Sequence, residues 1–202
     1  INKKKFIYLI SPNKITNKFY KDLKLVLKTK RVGIFQLRLK KYTMKQKVLI
    51  GKKIKKICKM NKVNFLVNDD PWLAKTIDAD GCHLGQNDMK LDKAKKIIKN
   101  KIFGVTCHNS KDLVKKAIKV KPAYIAIGAF FKSRTKTVKY KANISLLKYV
   151  KRLTNIPIVT IGGINNKNYR KLLLNNANFL AISGYIWNNK KYKPYEAIEK
   201  LK

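Results

Sequence analysis

Short apolar runs rich in β-branched and aromatic residues recur along the chain, and lysine-rich segments with helical periodicity separate them. This alternation of strand and helix signals is typical of an α/β protein with a parallel sheet. The pattern predicts eight strands, at Phe6–Ile10, Val32–Leu37, Val63–Val67, Gly81–Leu84, Ile102–Thr106, Tyr124–Ile127, Ile156–Ile161 and Phe179–Ile182.

Amphipathic stretches lie between these runs, with apolar residues three and four positions apart. They predict helices at Phe19–Leu27, Val48–Met60, Ala94–Ile98, Leu113–Ile118, Ile144–Val150 and Tyr169–Leu174. Asp70 before Pro71 is a further helix start, and Asn109 or Ser110 is suited to cap a later helix. Eight strands alternating with helices favour one α/β domain over residues 1–202, a (β/α)8 TIM barrel, with an open doubly wound sheet as the alternative.

In such a barrel the reactive groups follow the carboxyl ends of the strands. After the second predicted strand, alternation places Gln36, Arg38 and Lys40 on one side. An arginine fork and a lysine at the barrel mouth could hold a diphosphate. The alternative is a pair of solvated cations in a lysine-rich protein.

The acidic residues are few and unevenly placed. Five of the ten fall within residues 69–88, where uniform spreading would put about one. Asp70 is explained as a helix cap, and Asp78 and Asp80 belong to the turn before the fourth strand. Asp69 and Asp88 follow adjacent strands and could share Mg²⁺ with a substrate phosphate, unless they are only solvated or capping carboxylates.

Three further strand ends carry candidate phosphate ligands. Ser133, Thr135 and Lys136 after the sixth strand could surround phosphate oxygens, or could form a mobile basic loop. Gly162-Gly163 and Ser183 follow the seventh and eighth strands, whose loops build the recurrent phosphate site of these barrels, although a purely structural turn also uses Gly-Gly.

The two histidines come at the ends of the fourth and fifth predicted strands. His83 and His108 could bind substrate, carry a proton or play a structural part, and the absence of a nearby soft third ligand speaks against zinc.

The formal charge of +39 comes mainly from lysines spread over every segment, with 49 Lys and Arg against 10 Asp and Glu. Dedicated nucleic-acid binders instead concentrate arginines and exposed aromatics, so we expect attraction of phosphorylated small molecules rather than a nucleic-acid partner. The first apolar run is too short to cross a membrane. Three scattered cysteines, Cys58, Cys82 and Cys107, indicate neither a disulfide framework nor a zinc site, and a cytoplasmic location is expected.

From Tyr8 to about Ile186 the sequence closely resembles the thiamine-phosphate synthase family. The motifs occur in family order: Tyr8-Leu9-Ile10-Ser11, Gln36-Leu37-Arg38-Leu39-Lys40, Asn68-Asp69, residues 79–88 (Ala-Asp-Gly-Cys-His-Leu-Gly-Gln-Asn-Asp), Gly104-Val105-Thr106, Ser133-Arg134-Thr135-Lys136, Ile161-Gly162-Gly163-Ile164 and Ile182-Ser183.

The resemblance implies an Mg²⁺-dependent transferase that joins an aminopyrimidine diphosphate to a thiazole phosphate. The implied ligands of the pyrimidine diphosphate are Gln36, Arg38, Lys40, Asn68, Thr106 and Lys136, with His83 lining the pyrimidine pocket. The implied metal ligands are Asp69 and Asp88. The implied thiazole phosphate ligands are Ser133, Arg134, Thr135, Gly163, Ile182 and Ser183. Among these, Arg38, Lys40 and Lys136 would stabilise the leaving diphosphate.

The chain departs from the family pattern mainly around the sixth strand. Ser133 replaces the usual threonine, Ala129 and Lys132 replace common prolines, and Asn176-Ala177-Asn178 replaces Gly-Ala-Asp. These changes put the stiffness of the loop in doubt more than the chemistry. A related thiazole tautomerase, with His108 as its catalytic group, is the alternative within the fold; a non-catalytic anion or nucleic-acid binding module is the alternative outside it.

Overall fold

The computed structural model describes residues 5–132 and 140–201. All eight apolar runs form strands, within two residues of the predicted bounds. The strands are β1 (Ile7–Ile10), β2 (Val32–Leu37), β3 (Asn64–Asn68), β4 (Gly81–Leu84), β5 (Ile102–His108), β6 (Tyr124–Gly128), β7 (Ile158–Ile161) and β8 (Phe179–Ile182).

The strands pair in chain order, and every pairing is parallel. β1 also pairs with β8, with Ile7 opposite Leu180, so the sheet closes on itself. The closed barrel predicted from the alternating pattern is therefore confirmed, and the open doubly wound sheet is excluded.

Helices connect the strands and surround the barrel. The described helices are α1 (Asn17–Lys28), α2 (Met44–Met60), α3 (Pro71–Thr76), α4 (Leu91–Ile98), α5 (Lys111–Lys119), α6 (Ile144–Leu153), α7 (Tyr169–Leu173), α8 (Gly184–Trp187) and α9 (Pro194–Glu199). Two predicted caps are confirmed, because Asp70 Oδ1 accepts from the Leu73 amide at 2.9 Å and Ser110 caps α5. Across the residues that the structure describes, no helix has the length and apolar character to cross a membrane.

Two apolar layers result from the alternation of side chains along the strands. The inner layer fills the barrel and includes Tyr8, Leu66, Tyr124 and Val159. The outer layer lies between strands and helices and is much larger. A Cβ on Gly104 would lie 1.9 Å from Cζ of Tyr124, so only glycine leaves room for this ring inside the barrel.

Candidate active site

The carboxyl ends of all eight parallel strands open at one end of the barrel, which we call the mouth. The candidate residues at the ends of β2, β3, β4 and β5 therefore lie at this mouth. The candidates that follow β6 lie outside the described residues: Ser133, Arg134, Thr135 and Lys136.

Asp69 and Asp88 meet at the mouth with their carboxyl groups in direct contact. Burial and the neighbouring Asp88 carboxyl raise the pKa of Asp69 to about 6, against the opposing charges of Lys40 and Arg38. Asp69 adopts a left-handed backbone conformation (φ 66°), and its amide donates to the His83 carbonyl at 2.8 Å. Asp88 Oδ2 accepts from the Gly85 amide at 2.6 Å, which holds the loop after β4 in place. Two half-buried carboxylates in contact are a costly arrangement, and a cation between them would relieve their repulsion.

Arg38 and Lys40 bring positive charge to this acid pair. Burial lowers the pKa of Arg38, and the nearby Asp69 carboxyl partly offsets that effect. The Arg38 amide donates to Ser11 Oγ at 2.9 Å, and Arg38 Nη1 lies 3.5 Å from Asn13 Oδ1. The guanidinium therefore retains donors for a ligand. Arg38 is partly buried and Lys40 is exposed, and the charges of both act on the Asp69 carboxyl.

Gln36 and Asn68 form an amide pair beside these charges. Gln36 is buried, and its Nε2 donates to Asn68 Oδ1 at 2.5 Å. Because the side-chain oxygen of Asn68 accepts from Gln36, the Asn68 amino group remains available to donate to another acceptor.

His83 is buried at the end of β4 between two hydroxyl groups. Its Nδ1 lies 2.8 Å from the Tyr124 hydroxyl and its Nε2 lies 2.7 Å from Thr106 Oγ1. Burial lowers the pKa of His83 to about 4, against the opposing charge of Asp88, so the imidazole is neutral at pH 7. Both ring nitrogens of His83 therefore take part in hydrogen bonds with hydroxyl groups.

Gly163 and Ser183 lie at the ends of β7 and β8. Gly163 has φ 61°, and a Cβ there would lie 2.2 Å from the Lys132 carbonyl oxygen, so the turn requires glycine. Ser183 Oγ donates to the Ser11 carbonyl at 3.3 Å, and Ile182 is buried. The Ser11 side chain also accepts from the Arg38 amide. Ser11, which is buried after β1, therefore connects the predicted pyrimidine diphosphate site at Arg38 with the predicted thiazole phosphate site at Ser183.

Several residues of the site were not predicted from the sequence. Ser11, Tyr8 and Tyr124 were assigned only to strands or motifs, although a polar group inside an apolar run is a signal of a buried contact. Gln86 Nε2 donates to the Thr106 carbonyl, which ties the loop after β4 to β5. The ring of His108 packs on Tyr140, with centroids 4.4 Å apart.

A cavity of about 610 Å³ lies beside the mouth, between the loop after β1 and the segment after α8. Its lining includes Asn13, Trp187 and several lysines, but none of the candidate site residues. The acid pair and its cations lie elsewhere, so we base no ligand assignment on this cavity.

Comparison with known proteins identifies the family of this chain. The family model "Thiamine monophosphate synthase" matches residues 7–186, which is most of the chain. The chain belongs to the thiamine monophosphate synthase family. The resemblance seen in the sequence motifs is thereby confirmed.

Individual relatives extend the family match over nearly the full chain. A thiamine-phosphate synthase of Pelagibacter ubique is 66% identical over 200 residues, covering 98% of this chain and 97% of the relative. One from Erythrobacter litoralis is 36% identical over 187 residues, covering 90% and 88%. A solved thiamine phosphate pyrophosphorylase of Pyrococcus furiosus superposes with a TM-score of 0.87 at 25% identity, covering 98% of this chain and 94% of that structure.

Proposed function

We propose that this protein is a thiamine-phosphate synthase that condenses an aminopyrimidine methyl diphosphate with a thiazole phosphate, giving thiamine monophosphate and diphosphate. The proposal agrees with the names of the relatives. The observation that carries the chemistry is the contact between Asp69 and Asp88 beside Arg38 and Lys40 at the mouth of the barrel.

The pyrimidine diphosphate site is assigned to the residues after β2 to β5. Arg38 and Lys40 supply positive charge for the diphosphate, and Asn68 supplies an amide donor oriented by Gln36. Thr106 and His83 lie at the inner end of the same site, where the pyrimidine ring would be enclosed. Lys136 and the thiazole phosphate contacts Ser133, Arg134 and Thr135 remain sequence predictions, and Gly163, Ile182 and Ser183 complete that assignment.

Mg²⁺ suits the acid pair, and Asp69 and Asp88 are the residues that would hold it. Carboxylate oxygens are the ligands that this ion prefers. Within the described parts of the chain, no cluster of three or more His, Cys, Asp or Glu side chains forms a complete metal site. Bound Mg²⁺ would thus complete its shell with water and substrate phosphate, as is usual for this ion, and would neutralise negative charge on the diphosphate.

The reaction breaks the bond between the pyrimidine methylene carbon and a diphosphate oxygen, and the electron pair leaves with diphosphate. The thiazole nitrogen donates its lone pair to the same carbon, so no general base is required. Arg38 and Lys40 face the oxygens on which charge accumulates, and their stabilisation grows as the bond breaks. The electron-rich aminopyrimidine favours a dissociative path.

The same observations favour the synthase over the alternatives. A thiazole tautomerase moves a proton and has no use for a paired carboxylate next to two cations. A non-catalytic anion or nucleic-acid binding module would show steep salt dependence and no turnover.

The decisive assay measures thiamine monophosphate formed from the two purified substrates, with Mg²⁺ and with a chelator. We expect turnover only with the metal, and a loss of about 100-fold or more in Asp69→Ala and Asp88→Ala, because each replacement removes a charged ligand. Asp112→Ala, which removes an exposed acid from the first turn of α5, is the matched control and should retain activity. Full activity of both site variants would disprove the metal assignment, and absence of product from the wild type would disprove the function.

A further inference from the structure

Four hydrogen-bonded side chains cross the inside of the barrel and end at the mouth. The hydroxyl oxygens of Tyr8 and Tyr124 are 2.7 Å apart, and His83 links Tyr124 to Thr106 through its two ring nitrogens, at 2.8 and 2.7 Å. We call these four residues the interior chain. Tyr8, Tyr124 and His83 are buried, and only Thr106 is partly exposed.

Tyr8 fixes the direction of the hydrogen bonds. Among the described residues its hydroxyl has a single hydrogen-bond partner, Tyr124, and Tyr8 is buried in the inner apolar layer together with Leu66 and Val159. A buried donor without an acceptor would carry its full desolvation penalty. The Tyr8 hydroxyl therefore donates to the Tyr124 oxygen.

The remaining bonds follow from that first one, since each hydroxyl has one hydrogen to give. The Tyr124 hydroxyl accepts from Tyr8 and donates to His83 Nδ1. The imidazole then carries its hydrogen on Nε2 and donates to Thr106 Oγ1. A doubly protonated imidazole would leave Thr106 in the same role, because Nε2 would again donate.

Thr106 is thus left with a hydroxyl hydrogen that no described residue accepts. We infer that the interior chain presets the Thr106 hydroxyl as a hydrogen-bond donor to the bound substrate, with Tyr8 and Tyr124 as positioning residues. Resting on the proposed function, this means that the pyrimidine diphosphate places an acceptor atom, a ring nitrogen or a phosphate oxygen, over Thr106.

The first test reads the histidine tautomer and needs no substrate. The chain has two histidines, so in a ¹⁵N-labelled His108→Gln variant all ring-nitrogen signals belong to His83. At neutral pH we expect a protonated Nε2 and a bare Nδ1. A hydrogen on Nδ1 with a bare Nε2 would overturn the inference.

The second test is a double-mutant cycle on the dissociation constant of the pyrimidine diphosphate. Thr106→Val should weaken binding about tenfold, whereas Thr106→Ser should restore most of it. Tyr124→Phe removes the donor to Nδ1, so Nε2 of the imidazole can accept from Thr106 and the Thr106 hydroxyl is no longer reserved for the substrate. Tyr124→Phe should therefore weaken binding severalfold in the wild type, and should weaken it no further in the Thr106→Val background. Additive effects would contradict the inference, since a merely structural loss would act equally in both backgrounds.

Tyr169→Phe is the matched control, because Tyr169 is equally buried but belongs to the outer layer. It should leave the dissociation constant unchanged; a loss equal to that of Tyr124→Phe would show that any buried tyrosine hydroxyl matters and would overturn the assignment. If the wild type fails to bind the pyrimidine diphosphate, the proposed function is refuted, and the tautomer still decides the polarity of the interior chain.

Discussion

Replacing Gly104 by alanine should destabilise the protein by about 3–5 kcal/mol, because the added methyl group meets the ring of Tyr124 inside the closed barrel. The new Cβ would lie 1.9 Å from Cζ and 2.3 Å from the hydroxyl oxygen of that ring. Ordinary contact begins at 3.4 Å, so the ring must retreat by about 1.5 Å.

The magnitude follows from two effects. Overpacking of a filled interior costs about 1–3 kcal/mol. A shift of this size also breaks the Tyr124 hydrogen bonds to Tyr8 and His83, at about 1 kcal/mol each. Tyr124 is only 2% exposed and cannot swing into solvent without opening the barrel.

Urea unfolding followed by circular dichroism measures the effect, provided that the m-value is unchanged. The control is the same substitution in a Tyr124→Leu background, which lacks the ring atoms nearest to the new methyl group. There Gly104→Ala should cost less than about 1 kcal/mol. Equal costs in both backgrounds, or a small cost in the wild type, would refute the steric explanation.

Three further outcomes are expected. The lowered pKa of His83 means that, without metal, only the unfolded chain takes up a proton on this histidine between pH 6.5 and about 4. The contribution of His83 to stability is therefore complete above pH 6.5, and it decreases by up to about 3 kcal/mol as the pH falls to about 4. The raised pKa of Asp69 changes stability in the opposite direction, so the contribution of His83 is measured as the difference in unfolding free energy between the wild type and His83→Gln in EDTA. A difference that does not change with pH would contradict this prediction. Asp70→Ala should cost about 1 kcal/mol in chemical denaturation through loss of the α3 cap, and more than Asp112→Ala; equal costs would show that the cap is unimportant. Burial raises the pKa of every thiol, so a thiol reagent at pH 8 should modify the protein only on unfolding, and labelling of the native protein would disprove this for the residue modified. These thiols are Cys58, Cys82 and Cys107.

The strands were predictable because each is a short run of β-branched and aromatic residues bounded by polar segments. Helix starts were less predictable. α2 begins at Met44 instead of the predicted Val48, because the capping box of Thr43 and Gln46 adds a first turn that contains few apolar residues. The short α9 escaped prediction because its buried positions, Ala197 and Ile198, are too few to define a period.

The site was predictable where residue type alone carried the signal. Asp69 and Asp88 stood out because acids are scarce in this chain, and the structure brings their carboxyl groups together. The interior chain could not be found in this way. Tyr8 and Tyr124 lie 116 positions apart, and their contact depends on closure of the barrel, which no local pattern encodes.

The seam between β1 and β8 joins the first and last strands of the barrel beside the candidate site. Ser11 receives the Ser183 hydroxyl across 172 residues of sequence, so this contact forms only after the last strand has docked against the first. A chain that ends before β8 would lack this contact. Because Ser11 Oγ also accepts from the Arg38 amide, docking of β8 supports the residue that holds Arg38 beside the acid pair.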